Sequence, residues 1–207
     1  MLCLLVITHK HAMKARTDRQ IQIIDVASRI LTSEGISGLT TKKLASQMGF
    51  SEAAIYRHFS SKEDVIVSML HYLSESMEER FSQMELLEDD PAYNFEELFR
   101  SQFEFFKERN HFVIAVFSDG LFEKSERVSE GITQVMETKK KFLMPIITSG
   151  KQKQVFTSDV STQEMMHIVM GAVRLQMYNW RRSGFEFDIT IRGNTTIQSL
   201  LKLITAK

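Results

Sequence analysis

At 207 residues the chain can form one large domain or a small domain joined to a larger one, and either can bury a core sufficient to fold. Two prolines, nine glycines and 43% apolar residues suit a helical protein and count against a strand-rich or disordered one. The zero net charge argues against wholesale coating of nucleic acid, yet residues 10–62 hold nine Lys/Arg against four Asp/Glu while residues 63–207 hold seventeen against twenty-two, so a basic head sits on an acidic body.

In chain order, the opening run from Leu2 to Ile7 is apolar but far too short to span a membrane, and no basic residues precede it. Residues 1–13 are expected to be a non-native or unstructured extension, with Met13 an alternative start. Cys3 is the only cysteine, so an internal disulfide and a cysteine-based zinc site are both excluded, and a cytoplasmic location is expected.

From Arg16 to Glu34, Ile23, Ile24, Ala27, Ile30 and Leu31 recur at three- and four-residue steps, which predicts an amphipathic helix closed by Gly35. Thr40 or Thr41 then caps a second helix reaching about Met48, Gly49 breaks it, and Ser51 caps a third from about Glu52 to Phe59. Ser60 followed by Glu63 is a capping-box signature for a fourth helix running to about Glu85. Helical patterns continue over 93–108, 110–122, 125–149, 160–183 and 189–205, separated by Gly, Pro, Ser and Asp clusters. The fold expected is all-α, with a helix-turn-helix domain over 14–62 and a helical body over 63–207.

The segment Thr41 to Phe59 carries the function. Ala45 is small where two helices cross, Gly49 sits where the turn needs positive φ, and Leu44, Phe50, Ile55 and Phe59 face inward. The spacing of four and six from Ala45 through Gly49 to Ile55 is that of a helix-turn-helix. With the preceding helix and Ser60-Ser61-Lys62-Glu63-Asp64, this stretch resembles the DNA-binding domain of the TetR/AcrR repressor family over about residues 16–80. The elements that match are Thr40-Thr41, Ala45, Gly49-Phe50-Ser51, Ile55-Tyr56-Arg57-His58-Phe59 and Lys62.

Thr41, Tyr56, His58 and Lys62 offer hydroxyl, imidazole or ammonium donors to phosphates. Ser51, Glu52, Ala53, Ala54 and Arg57, on the exposed start and face of the third helix, can reach base edges. Arg57 suits guanine, and Glu52 suits a cytosine amino group provided that its carboxylate finds a donor near the phosphates.

Operators are usually read by two heads, so a homodimer on a palindromic double-stranded DNA operator is expected. The last two helical patterns are richer in apolar residues than surface helices need, and Met166, Val169, Val173, Met177, Trp180, Ile197, Leu200 and Leu201 are candidates for the dimer interface. The stretch from Met170 to Phe185 also resembles, more loosely, the penultimate helix of the family, whose last two helices pair with the partner subunit. Phe103, Phe106, Phe112, Phe117, Phe142 and Met144, with Phe99 and Phe122 nearby, are candidates to line a cavity for an apolar effector, although such residues at helical spacing also serve as plain core.

The resemblance implies a ligand-responsive repressor, with activation as the alternative sign. Glu164 and His167 form an i, i+3 pair that needs further ligands to hold a metal, and no metal or cofactor is expected. No phosphate loop, catalytic triad or paired-carboxylate motif stands out, so an enzyme is not expected. The rival reading is a helical lipid or small-molecule carrier, or an enzyme, with a vestigial DNA-binding head.

Overall fold

The computed structural model describes residues 16–117 and 125–206. The expected extension over 1–13, and Phe122, lie outside the described residues. The described part is helical: α1 (Asp18–Gly38), α2 (Thr41–Met48), α3 (Glu52–Tyr56), α4 (Lys62–Ser82), α5 (Pro91–Glu108), a 3-10 turn (Asn110–Phe112), α6 (Val113–Phe117), α7 (Glu126–Gln152), α8 (Thr162–Arg182) and α9 (Ile189–Ile204). The only β pairing among these residues is an isolated bridge between Phe156 and Thr205.

Local chemistry sets the ends of the elements. Thr17 and Gln20 close a reciprocal capping box on α1, and Gly35 breaks that helix at φ +69°, a value that a side chain would disfavour. Ser161 and Glu164 form the same box on α8, which gives Glu164 a structural task at the helix start. Pro91 occupies the first turn of α5, where its missing N–H costs nothing, and Asp90 Oδ1 accepts from the Tyr93 N–H at 2.8 Å. The fourth helix starts one residue later than expected: Ser61, not Ser60, is its cap, with Ser61 Oγ accepting from the Asp64 N–H at 3.1 Å.

α1, α2 and α3 pack around Ile23, Ile24, Leu31, Leu44 and Ile55, all fully buried, and α4 carries this head into the body. In the body α4 lies along α7, where the hydroxyls of Ser74 and Thr138 meet at 2.6 Å in the core. α5 runs through the middle, against α7 on one side and α9 on the other. Its contact with α9 is close because residue 193 is Gly: a Cβ there would lie 2.6 Å from the Phe103 ring.

Candidate DNA-binding head and effector cavity

Gly49 takes the left-handed conformation, φ 66° and ψ 32°, and the Phe50 N–H donates to the Ala45 carbonyl at 2.8 Å, so the turn between α2 and α3 closes on backbone alone. Ala45 is buried at the crossing, and Phe50, half-buried, lies under the Arg19 guanidinium at 4.6 Å. Thr40 caps α2 by accepting from the Lys43 N–H at 3.1 Å, which releases Thr41 from capping. The Thr41 hydroxyl instead donates to Glu52 Oε2 at 3.0 Å and lies 3.4 Å from the Tyr56 hydroxyl. Glu52 therefore has the donor its position requires, and three candidate DNA-contacting residues form one cluster across the α2–α3 junction.

Ser51 caps α3, its Oγ accepting from the Ala54 N–H at 3.3 Å. Ala53 and Arg57 are exposed, Ala54 and His58 half-buried, and Tyr56 is 52% exposed. α3 is five residues long, so Arg57 sits at its C-cap and His58 and Phe59 in the turn that follows. Lys62 is exposed at the first position of α4. Among the described residues neither Arg57 nor Lys62 has a carboxylate partner, whereas Lys43 pairs with Glu34. The head thus presents exposed cations without carboxylate partners and a Thr41–Glu52–Tyr56 cluster, groups that can meet phosphates and base edges.

The head is tied to the body at a second place besides α4. The Thr32 hydroxyl on α1 donates to the His111 carbonyl at 3.1 Å, and His111 Nε2 lies 2.8 Å from Asp25 Oδ1, close but without hydrogen-bond alignment. Burial pulls the pKa of His111 down, against the attraction of Asp25. The 3-10 turn under α1 leads directly into α6.

The body contains a cavity of about 200 Å³ walled by α4, α5, α6, α7 and α8. Phe106 and Phe117 line it, as do Leu73, Met77 and Val173. The other proposed pocket residues lie elsewhere. Phe103 packs against Gly193, Phe142 meets Phe81 edge-on at 5.4 Å, Phe112 contacts Tyr72 at 5.6 Å toward the head, and Met144 is half-buried on α7 away from the cavity. α5 is apolar on more than one face, so its phenylalanines divide between the cavity and the contact with α9.

Three polar groups at the cavity were missed in the sequence. Lys139 on α7 is 5% exposed, and its Nζ lies 5.0 Å from the centre of the Phe99 ring; burial pulls its pKa down to about 7. Gln102 on α5 is buried with no partner for Oε1. The Arg80 guanidinium stacks 4.0 Å from the Phe105 ring and donates to Ser76 Oγ at 2.6 Å, but its Nε has no partner; burial, with Arg109 nearby, brings its pKa to about 10. Lys139 opens a run of three lysines, and Val135, Thr138, Leu143 and Ile146 place it on the inward stripe of α7.

The candidate interface residues Val169, Val173, Met177, Trp180, Ile197, Leu200 and Leu201 are buried in the protomer's own core, and Met166 is half-buried against it. The opposite face of α8 leaves Ile168, Leu175 and Tyr178 exposed, Leu175 at 59%, around Gly171, with Ile191 and Leu203 exposed on α9.

A three-helix head whose helix-turn-helix turns on a left-handed Gly49, with exposed cations at Arg57 and Lys62, and a helical body that holds a cavity define the class of helix-turn-helix DNA-binding regulators. The sequence profile of the bacterial regulatory proteins of the tetR family matches residues 23–69, and that of the YsiA-like protein C-terminal region matches residues 69–203. The chain belongs to the TetR family.

Among relatives, the nucleoid occlusion factor SlmA of Vibrio cholerae is 29% identical over 174 residues, covering 83% of this chain and 88% of that protein. Among solved structures, the fatty acid degradation regulator FadR of Bacillus halodurans superposes with a TM-score of 0.77 at 20% identity, covering 91% of this chain and 97% of that one. The FadR of Bacillus subtilis, solved with stearoyl-CoA, superposes with a TM-score of 0.69 at 19% identity, covering 87% and 97%. At these identities the two structural likenesses speak for the fold. Among the described residues no helix is long and apolar enough to cross a membrane.

Proposed function

We propose that this protein is a repressor that binds a palindromic operator as a homodimer and releases it when a small molecule with an apolar body fills the cavity. The observation that carries the ligand response is the placement of the cavity walls. α4 lines the cavity with Leu73, Met77 and Arg80 and begins at Lys62 in the head, while α6 lines it with Val116 and Phe117 and continues from the turn held under α1 by Thr32. A ligand that moves either wall reaches the head through a rigid element, and the spacing of two recognition helices changes. The stearoyl-CoA bound to the B. subtilis neighbour supports a ligand with an apolar tail.

In the head, Thr41, Tyr56, His58 and Lys62 position the protein on phosphates, and Arg57 with Ser51, Glu52, Ala53 and Ala54 meets the bases. The dimer uses the exposed apolar face of α8 and α9, since leaving Ile168, Leu175, Tyr178, Ile191 and Leu203 in water wastes burial that a second copy supplies.

The test is fluorescence anisotropy with fragments from the protein's own upstream region, at two salt concentrations, with a Tyr56→Ala, Arg57→Ala double variant alongside. Tight, salt-sensitive binding to one fragment, lost in the variant, supports the reading. Equal or absent binding on all fragments, unchanged in the variant, refutes it and favours a carrier or enzyme. A second reading, nucleoid occlusion, is favoured by the 29% identity that extends over 88% of the Vibrio factor. Mapping occupancy across the chromosome separates the two: a few promoters for a repressor, many dispersed sites for occlusion.

A further inference from the structure

A purely apolar effector would leave buried polar groups at the cavity without partners. Gln102 Oε1 and Arg80 Nε are buried and unbonded, and Lys139 has no hydrogen bond or ion pair among the described residues, only the Phe99 ring 5.0 Å away. Of the titratable groups lining the cavity, Lys139 from α7 is buried and Arg80 from α4 half-buried, while His167 and Arg174 from α8 are exposed; the described lining residues include no Asp or Glu. Buried positive charge without a counter-charge is costly, and a ligand that supplies one gains that difference as affinity.

We infer that the effector is a compact carboxylic acid, its carboxylate seated on the Lys139 ammonium beside the Gln102 amide and its apolar body packed on Leu73, Met77, Phe106 and Phe117. This rests on the cavity being the effector site. A carboxylate has about four acceptor positions, enough for a charge-assisted bond from Lys139 and a second from Gln102 once that amide is turned to present its NH2. The space has room for the body: about 150 Å³ of apolar cavity takes one benzene, so the 200 Å³ here holds at least one ring or a short chain with its head group.

Binding is coupled to a proton. With the cavity empty, burial holds the Lys139 amine largely neutral at pH 8; a carboxylate raises its proton affinity, so the acid enters together with a proton from solvent.

Calorimetric titration of the full-length protein at pH 8 tests this, with octanoate and 4-phenylbutyrate against 1-octanol and 4-phenylbutanol. The wild type is expected to bind the acids at least tenfold more tightly than the alcohols, with heats that differ between phosphate and Tris as a proton is taken up. Lys139→Met, checked for folding by circular dichroism, is expected to lose the preference for acids and the buffer dependence while still binding the alcohols; Gln102→Met is expected to weaken acid binding by a smaller factor. Acids bound no better than alcohols, no binding of either, or unchanged acid affinity in Lys139→Met would overturn the assignment. Operator affinity is read in the same samples: an acid that binds through Lys139 without loosening the operator supports the assignment and sinks the release mechanism instead.

Discussion

Replacing Lys139 with Met removes a buried ammonium and leaves a side chain of similar length among Phe99, Phe105 and Phe106. Burial moves the folded-state pKa of Lys139 from 10.5 to about 7. Between those two values the unfolded chain holds a proton that the folded one does not, so stability rises with pH across that window. Above pH 10.5 both states are neutral and the burden vanishes; below 7 it is present in full. At 1.36 kcal/mol per unit, the ammonium costs the wild type about 4 kcal/mol at pH 7 and roughly 1 to 2 at pH 9.5.

Lys139→Met should therefore be more stable than wild type by about that much at pH 7, with a Tm higher by roughly 10 °C for a chain of this size. The gap should narrow to a few degrees at pH 9.5. Urea and thermal melts of both proteins at the two pH values measure it, and titrations common to both cancel in the difference. A variant equal to or less stable than wild type at pH 7, or a gap that does not narrow, would refute the reasoning.

The remaining predictions concern packing, assembly and DNA. Gly193→Ala drives a Cβ to 2.6 Å from the fully buried Phe103 ring, and overpacking outweighs the gain in helix propensity, so a loss of about 1–2 kcal/mol is expected in denaturant melts. Leu175→Glu places a charge in the middle of the exposed stripe of α8, and sedimentation should show the wild type as a dimer and the variant as a monomer; an unchanged mass would move the interface elsewhere. Lys62→Met should weaken operator binding on every fragment and lower the slope of log affinity against log salt by about 0.9 per head. Arg57→Ala should cost about 1–3 kcal/mol on the operator and little on unrelated DNA if it reads a guanine, as competition titrations would show.

Helices with one polar and one apolar face were legible in the sequence to within a few residues, because periodicity, the Ser51 cap and the breaks at Gly35 and Gly49 are local signals. One start was left open and another was placed one residue early, for a local reason as well. The Thr40-Thr41 and Ser60-Ser61 pairs each offer two caps, and the packing of Leu39 and of Phe59 into the head core selects between them. The expected helix over 110–122 opens instead with a 3-10 turn, which lets His111 and Phe112 both turn inward toward α1 and Tyr72.

Facing was harder to read than existence. α8 carries two apolar stripes, Met165-Val169-Val173-Met177 inward and Ile168-Leu175-Tyr178 outward, and the sequence shows the excess of apolar surface without saying which stripe meets the protomer's own core. The phenylalanines of α5 present the same ambiguity. Lys139 sits inside a run of three lysines, so its chemistry as a residue pointed to solvent while its position in the α7 stripe pointed to the core, and position prevailed.

The central claim, that one cationic face of a dimeric head reads an operator, is tested most directly by footprinting the upstream region of the gene with wild type and the Tyr56→Ala, Arg57→Ala variant at two salt concentrations. One protected stretch of two-fold symmetric sequence is expected, weakened by salt and absent with the variant. Uniform protection, or a footprint that the variant leaves unchanged, would contradict it.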